Sequence, residues 1–253
     1  MPVGRPGIGL ALTTFTVLPV RGGAVDRSAA ATAMLLGPAV GAGLGLGAGA
    51  VLLLATAAGA PPALGGILAV GSLAALTRGL HLDGLADTVD GLGAYGDRDR
   101  TLAVMKAPDV GPFGVVALVL ALGAQAVGLG AVAARPWPAV LCATAVAVAV
   151  GRLAITWACL RPVPAARPDG LGALVAGTVR PVAAAAVTVA VAAVALGAAP
   201  GRPWLGPLAV SAGLLTAGAL LRQVLRRIGG ITGDVLGAVA ETATTAALVV
   251  LAL

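Results

Sequence analysis

Residues 138–159 read PAVLCATAVAVAVGRLAITWAC, a run broken by one charge, Arg152. About 20 apolar residues in a helix span the roughly 30 Å hydrocarbon core of a bilayer, where only helices and closed barrels satisfy their own backbone. The stretch is therefore expected to cross a membrane. Similar runs near 34–58, 64–79, 112–134, 181–199, 204–221 and 237–253 bring the expected spans to seven, within a range of six to eight. The expected fold is all-α, a polytopic integral membrane helical bundle forming one domain over residues 1–253.

Composition and charge agree with this. Of the 253 residues, 59% are hydrophobic and 10% charged, against about 25% charged in soluble domains; mean hydropathy is +1.03. The 38 glycines would weaken soluble helices but permit close packing in lipid. The net charge of +6 does not point to nucleic acid, because the basic residues sit in short loops between apolar spans. Thirteen of the 16 basic residues, among them Arg27, Arg78, Arg98, Arg100, Lys106, Arg161, Arg167, Arg180, Arg222, Arg226 and Arg227, fall on one side. Arg135 and Arg202 fall on the other, and Arg152 lies inside a span. The positive-inside rule makes the basic side cytoplasmic, in a multi-pass cell membrane protein. Nine of the ten acidic residues gather on that same side. Acids do not govern topology, so a polar site facing the cytoplasm is the simplest cause. The apolar run at 8–20 is expected to be retained and to lie at the interface, and Cys142 and Cys159 to be packing residues.

The densest polar segment is His81-Leu82-Asp83-Gly84-Leu85-Ala86-Asp87-Thr88-Val89-Asp90-Gly91, which holds three carboxylates and the only histidine. In a helix Asp83, Asp87 and Asp90 share one face and repel one another unless a cation neutralises them. Oxygen-only ligands suit Mg²⁺ or Mn²⁺, held by one or two carboxylates and a substrate phosphate. Gly84 and Gly91 are expected to let a diphosphate approach closely, and His81 to take part in proton transfer. Arg161 and Arg167 are candidate phosphate ligands through paired N–H donors, and Arg152 a stronger one, because a buried arginine requires a partner. In Gly229-Gly230-Ile231-Thr232-Gly233-Asp234, glycines precede a span as a phosphate-cradling turn precedes a helix. Asp234 and Glu241, seven apart, are expected to form a second acidic pair.

The run Thr77 to Leu92, with Gly96-Asp97-Arg98, Val110-Gly111-Pro112-Phe113-Gly114 and Gly229 to Ala238 followed by Glu241, closely resembles the cobalamin (5′-phosphate) synthase family, the adenosylcobinamide-GDP ribazoletransferases. Phe15 to Val20 is similar to that family's N-terminal signature. The pattern is broken in two places: Arg78 stands where a glycine is expected, and Ala107-Pro108-Asp109 where many relatives carry Asp-Ser-Arg. The resemblance implies a membrane enzyme that transfers adenosylcobinamide phosphate from adenosylcobinamide-GDP to α-ribazole or its 5′-phosphate, releasing GMP in a Mg²⁺-dependent step.

On that basis Asp83, Asp87 and Asp90 are the expected metal ligands. Arg98, Arg100, Lys106, Arg161 and Arg167 would hold phosphates or the leaving GMP, and His81 or one of the acids would accept the hydroxyl proton. Asp234 and Glu241 would complete the metal site or bind the acceptor. A CDP-alcohol phosphotransferase also uses Asp-rich spacing, but its later Asp-x-x-x-Asp pair is absent here. A cation-coupled transporter places its ion site near mid-bilayer, whereas these acids crowd one face. The oligomeric state, a homo-oligomer included, stays open.

Overall fold

A computed structural model describes residues 5–20 and 25–253; Arg21, counted above among the basic residues of the cytoplasmic side, lies outside them. Helices α1 (Arg5–Phe15), α2 (Arg27–Ala57), α3 (Pro62–Leu76), α4 (Leu80–Gly93), α5 (Arg98–Val104), α6 (Pro112–Val132), α7 (Trp137–Ala158), α8 (Gly170–Val175), α9 (Pro181–Ala195), α10 (Leu205–Ile228) and α11 (Gly233–Leu251) follow one another. Among the described residues there is no strand, only two isolated β-bridges.

Five helices, α2, α6, α7, α10 and α11, are long and apolar enough to cross a bilayer. The pair α3 and α4 passes the same test only as a broken unit bent by 92°. The chain is a multi-pass helical membrane protein, with five or six spans rather than the expected seven. The 64–79 run stops at Leu76 because Arg78 and Gly79 take left-handed φ values of 56° and 66°. Helix α4, 14 residues and so about 21 Å long, turns away there and is too short to cross the bilayer by itself. The 181–199 run is helical for only the 15 residues of α9, about 22 Å, and turns before Pro200 and Gly201.

Arg78 is the one non-glycine with positive φ among the described residues, at the position where the sequence pattern calls for glycine. Left-handed backbone costs an L-residue roughly 1–2 kcal/mol, part of which glycine would give back as chain entropy. Arg78→Gly is therefore expected to raise thermal stability slightly, by about 0.5–1 kcal/mol, and Arg78→Val to lower it. Thermal unfolding of the detergent-solubilised chain distinguishes the two.

The stretch that announced a membrane protein becomes the centre of the bundle: α7 is buried without a break from Ala143 to Thr156. Helix α2 lies along it, and Gly41, Gly45 and Gly49 form the contact; a Cβ on Gly41 would stand 2.8 Å from the carbonyl of Val148. The glycine-rich first span is one helix despite Pro38. Proline cannot donate to the carbonyl four residues back, and that carbonyl, Met34, accepts instead from Thr156 Oγ1 of α7 at 2.7 Å. At one end Arg135 donates to the carbonyls of Ala198 and Leu251, the last turn of α11. Asp234, in the first turn of α11, therefore belongs to the opposite end.

Candidate active site

Helix α4 lies against α11 and α6. The approach to α11 is possible because Gly84 and Gly237 face each other. A Cβ on Gly84 would stand 2.5 Å from the carbonyl of Asp234, and one on Gly237 2.9 Å from that of His81. Gly91 similarly admits Met105, beside α5. The glycines expected to admit a diphosphate thus admit neighbouring helices. Their effect on the site is indirect, since this docking sets Asp83 and Asp87 beside Asp234. Asp87 is half-buried, and its carboxyl is pushed up to about 6, first by burial and then by the charges of Asp83, Asp234 and Asp90. Carboxylates crowded in this way resist ionisation until a cation joins them.

A second segment completes the wall. Ala166 N–H donates to Ile231 at 2.9 Å and Ile231 N–H to Pro164 at 2.9 Å, while Gly172 allows the start of α8 to touch Ile231 and Thr232. Arg167 and Asp169 are thereby carried to the N-terminus of α11. Between them opens a cavity of about 340 Å³, lined by Asp83, Lys106, Arg167, Asp169, Thr232, Gly233 and Asp234 with parts of α4 and α8. Thr232 caps α11, accepting from Val235 N–H at 3.3 Å and donating to Asp234 Oδ2 at 3.1 Å. Arg167 is anchored by a 2.8 Å bond from Nη2 to the Leu102 carbonyl. Asp169 was read from sequence only as one of the acids of that side. The cavity includes it, and its carboxylate has no hydrogen-bond partner among the described residues; its place in Arg167-Pro168-Asp169-Gly170 was the available signal.

Other expected residues lie elsewhere. Asp90 is buried, with Oδ2 accepting from Gly111 N–H at 2.7 Å and Oδ1 from Gly114 N–H at 2.8 Å. Both oxygens cap the N-terminus of α6, where free N–H groups and the helix dipole favour an anion. The structure thus gives Asp90 a capping role outside the cavity lining, where the sequence suggests a third metal ligand, and explains the Gly111-Pro112-Phe113-Gly114 motif. His81 is buried and stacked on Phe15 with ring centres 6.1 Å apart, away from the cavity lining. Burial, then the charge of Arg152, holds its pKa well below the usual histidine value, so it stays neutral.

Arg98 donates to the carbonyls of Ile228 at 2.9 Å and of Ala166, clamping the end of α10 to the 164–166 segment. Its remaining partner is Asp99, an exposed pair at 3.3 Å of small energetic weight. Arg100 and Arg161 are exposed and line no part of the cavity. Glu241 and Arg152 are buried deeper, around a 20 Å³ void shared with Gln125 and Thr244. Glu241 accepts there from Gln125 Nε2 at 2.8 Å. The void is large enough for about one water, so the expected acidic pair of Asp234 and Glu241 is two separate groups. Seven helical residues place them about 10 Å apart along α11.

No three Asp, Glu, His or Cys side chains among the described residues form a metal cage by themselves. Mg²⁺ does not require one, because it usually keeps waters and takes one or two carboxylates beside substrate phosphates. Asp83 and Asp234 on one cavity, with Asp87 behind them, fit that mode of binding.

Spanning helices that gather carboxylates, a lysine and an arginine around one cavity at one end of the bundle define the class, a polytopic membrane protein with a charged site near the membrane face. Comparison with known proteins makes this specific. The profile of the cobalamin-5-phosphate synthase family matches residues 7–252, and the chain belongs to that family. A protein of Frankia casuarinae named adenosylcobinamide-GDP ribazoletransferase is 44% identical, the match covering 96% of this chain and 93% of that one. Proteins of the same name from Nocardioides sp. and Bradyrhizobium diazoefficiens are 46% and 37% identical, the matches covering 94% and 96% of this chain and 94% and 92% of theirs. No solved structure matches.

Proposed function

We propose that this chain joins adenosylcobinamide-GDP to α-ribazole or its 5′-phosphate and that the reaction takes place in the cavity between α4, α8 and α11. The observation that carries this is the convergence of Asp83, Asp169 and Asp234 with Lys106 and Arg167 on one cavity, in a member of a family whose relatives bear that enzyme's name. A ribose hydroxyl of the acceptor attacks the phosphorus nearer the cobinamide, the bond to the bridging oxygen breaks, and GMP leaves. Asp83 and Asp234 would hold Mg²⁺, with Asp87, whose carboxyl feels the charges of both, adding to the negative potential of the site. The bound ion would neutralise the diphosphate and the charge that develops on it.

Lys106 and Arg167 hold phosphate oxygens, Arg167 in an orientation fixed by its bond to Leu102. Asp169, without a hydrogen-bond partner, takes the proton of the attacking hydroxyl. His81 serves packing between α1 and α4. Arg98 keeps the 164–166 segment in place and so acts on the site through Arg167 and Asp169. The site faces the cytoplasm, following the thirteen basic residues on its side.

The test is to reconstitute the full chain in lipid and follow corrinoid product and GMP from adenosylcobinamide-GDP with each acceptor. Product and GMP are expected in equal amounts, and removal of divalent cations with a chelator is expected to stop both. Asp169→Asn should lower turnover by about 10²–10⁴-fold, the usual contribution of a general base, with little change in metal requirement. Full activity in the chelator rules out the metal, and absence of product from folded wild type with either acceptor rules out the reaction.

A further inference from the structure

A second cleft is distinct from the acidic cavity. It lies between the turn joining α4 to α5 and the end of α10, encloses about 690 Å³, and is lined by Tyr95, Arg222, Gln223, Arg226 and Arg227 with Ala219 below them. No carboxylate lines it. Arg222 and Arg226 stand one helical turn apart and exposed, without an ion-pair or hydrogen-bond partner among the described residues. Arg227 is held between Thr101 Oγ1 at 3.1 Å and the Ala94 carbonyl at 2.7 Å. Tyr95, the only tyrosine of the chain, is 97% exposed at the rim.

We infer that this cleft binds the phosphate headgroup of an anionic phospholipid. Three guanidinium groups around an open cleft match the multidentate geometry of a phosphate. Helix α10 spans the membrane, so the arginines stand at the level of the headgroups and Ala219 one turn deeper. Leu215, two turns below Arg222 and 74% exposed, offers the same helix face to acyl chains. Basic pockets at span ends and aromatic side chains at the interface are the features by which membrane proteins hold such lipids. The positive-inside rule accounts for the number of charges here but requires neither a cleft nor an arginine fixed by two hydrogen bonds. A free nucleotide offers the same phosphate chemistry, but a guanine base calls for a carboxylate partner, and the cleft has none.

The test uses the purified full chain in neutral detergent and reads binding alone, so it does not depend on the proposed reaction. Native mass spectrometry would follow retention of phosphatidylglycerol, phosphatidylcholine and GMP. Phosphatidylglycerol is expected to bind one per chain and at least about tenfold more tightly than phosphatidylcholine. Arg222→Gln combined with Arg226→Gln is expected to erase that preference, while Arg180→Gln, an exposed basic residue at the start of α9, leaves it within about twofold. If the double variant does not survive purification, Arg226→Gln alone decides, with an expected loss of about threefold or more. Equal binding of the two lipids, an unchanged preference in the cleft variants, or an equal loss in Arg180→Gln overturns the proposal. GMP binding that depends on Arg222 and Arg226, without lipid preference, would reassign the cleft to a nucleotide.

Discussion

Asp83→Asn and Asp234→Asn are each expected to abolish measurable transfer while leaving the protein folded. Asp83 is exposed on the cavity wall and its carboxylate accepts no hydrogen bond among the described residues, so the fold does not depend on its charge. Asp234 has only the 3.1 Å contact from Thr232, which an asparagine oxygen can accept as well. The fold even gains from losing a charge here, because the two carboxylates and Asp87 repel one another. The reaction is affected in the opposite direction. On the proposed assignment each substitution would remove one of the two carboxylates that hold the metal, and since partners that only orient a ligand cost roughly 10–100-fold when removed, a loss of at least about a hundredfold is expected. Product formation at saturating Mg²⁺, beside a thermal unfolding curve, measures both. An active Asp83→Asn enzyme would remove this carboxylate from the mechanism.

Asp90→Ala is expected to show the converse pattern, a chain that fails to reach or keep its fold. The substitution strips two charge-assisted bonds from the N-terminus of α6 and leaves Gly111 and Gly114 N–H unpaired where Asp90 was buried. Bonds to a charged group contribute about 1.5–3 kcal/mol each, and caps up to about 2 kcal/mol. The combined loss is about 3 kcal/mol, a large share of the stability of a typical domain. Asp90→Asn keeps one acceptor and should fall between wild type and Asp90→Ala in melting temperature. If Asp90→Ala melts with wild type but is inactive, Asp90 belongs with the metal after all.

The three aspartates show how far the sequence could be read. Their spacing on one helix face was legible, because period and charge are local properties. What each carboxylate faces was not, because that depends on α6 and α11 arriving from 20 and 150 residues further along the chain. The partner of Asp90 was visible as Gly111-Pro112-Phe113-Gly114, yet a proline-glycine helix start does not reveal which anion caps it. Glycines beside carboxylates suggested room for phosphate, whereas Gly84 and Gly237 are spaced for a helix crossing, a reading that requires both helices. Arg98 is expected to hold phosphate only because of the family resemblance; the carbonyls of Ile228 and Ala166 that it binds carry no side-chain signature.

Hydropathy, by contrast, found α2, α6, α7, α10 and α11 directly. It overstated the 64–79 and 181–199 runs, since apolar composition continues past the points where backbone conformation ends α3 and α9. Lys106, Arg167, Thr232, Gly233 and Asp234 were all named from sequence and all line the cavity. Asp169 was passed over because an acid in a basic loop reads first as a solvated residue.

The central claim is that Asp83 and Asp234 together hold the reaction's divalent ion at the cavity. Mn²⁺ substituted for Mg²⁺ in the reconstituted chain, followed by electron paramagnetic resonance during titration with adenosylcobinamide-GDP, tests it most directly. A bound Mn²⁺ signal is expected in wild type and in Asp169→Asn, and its loss in both Asp83→Asn and Asp234→Asn. Retention of the same bound signal in those two variants would contradict the account and place the metal, with the chemistry, elsewhere on the chain.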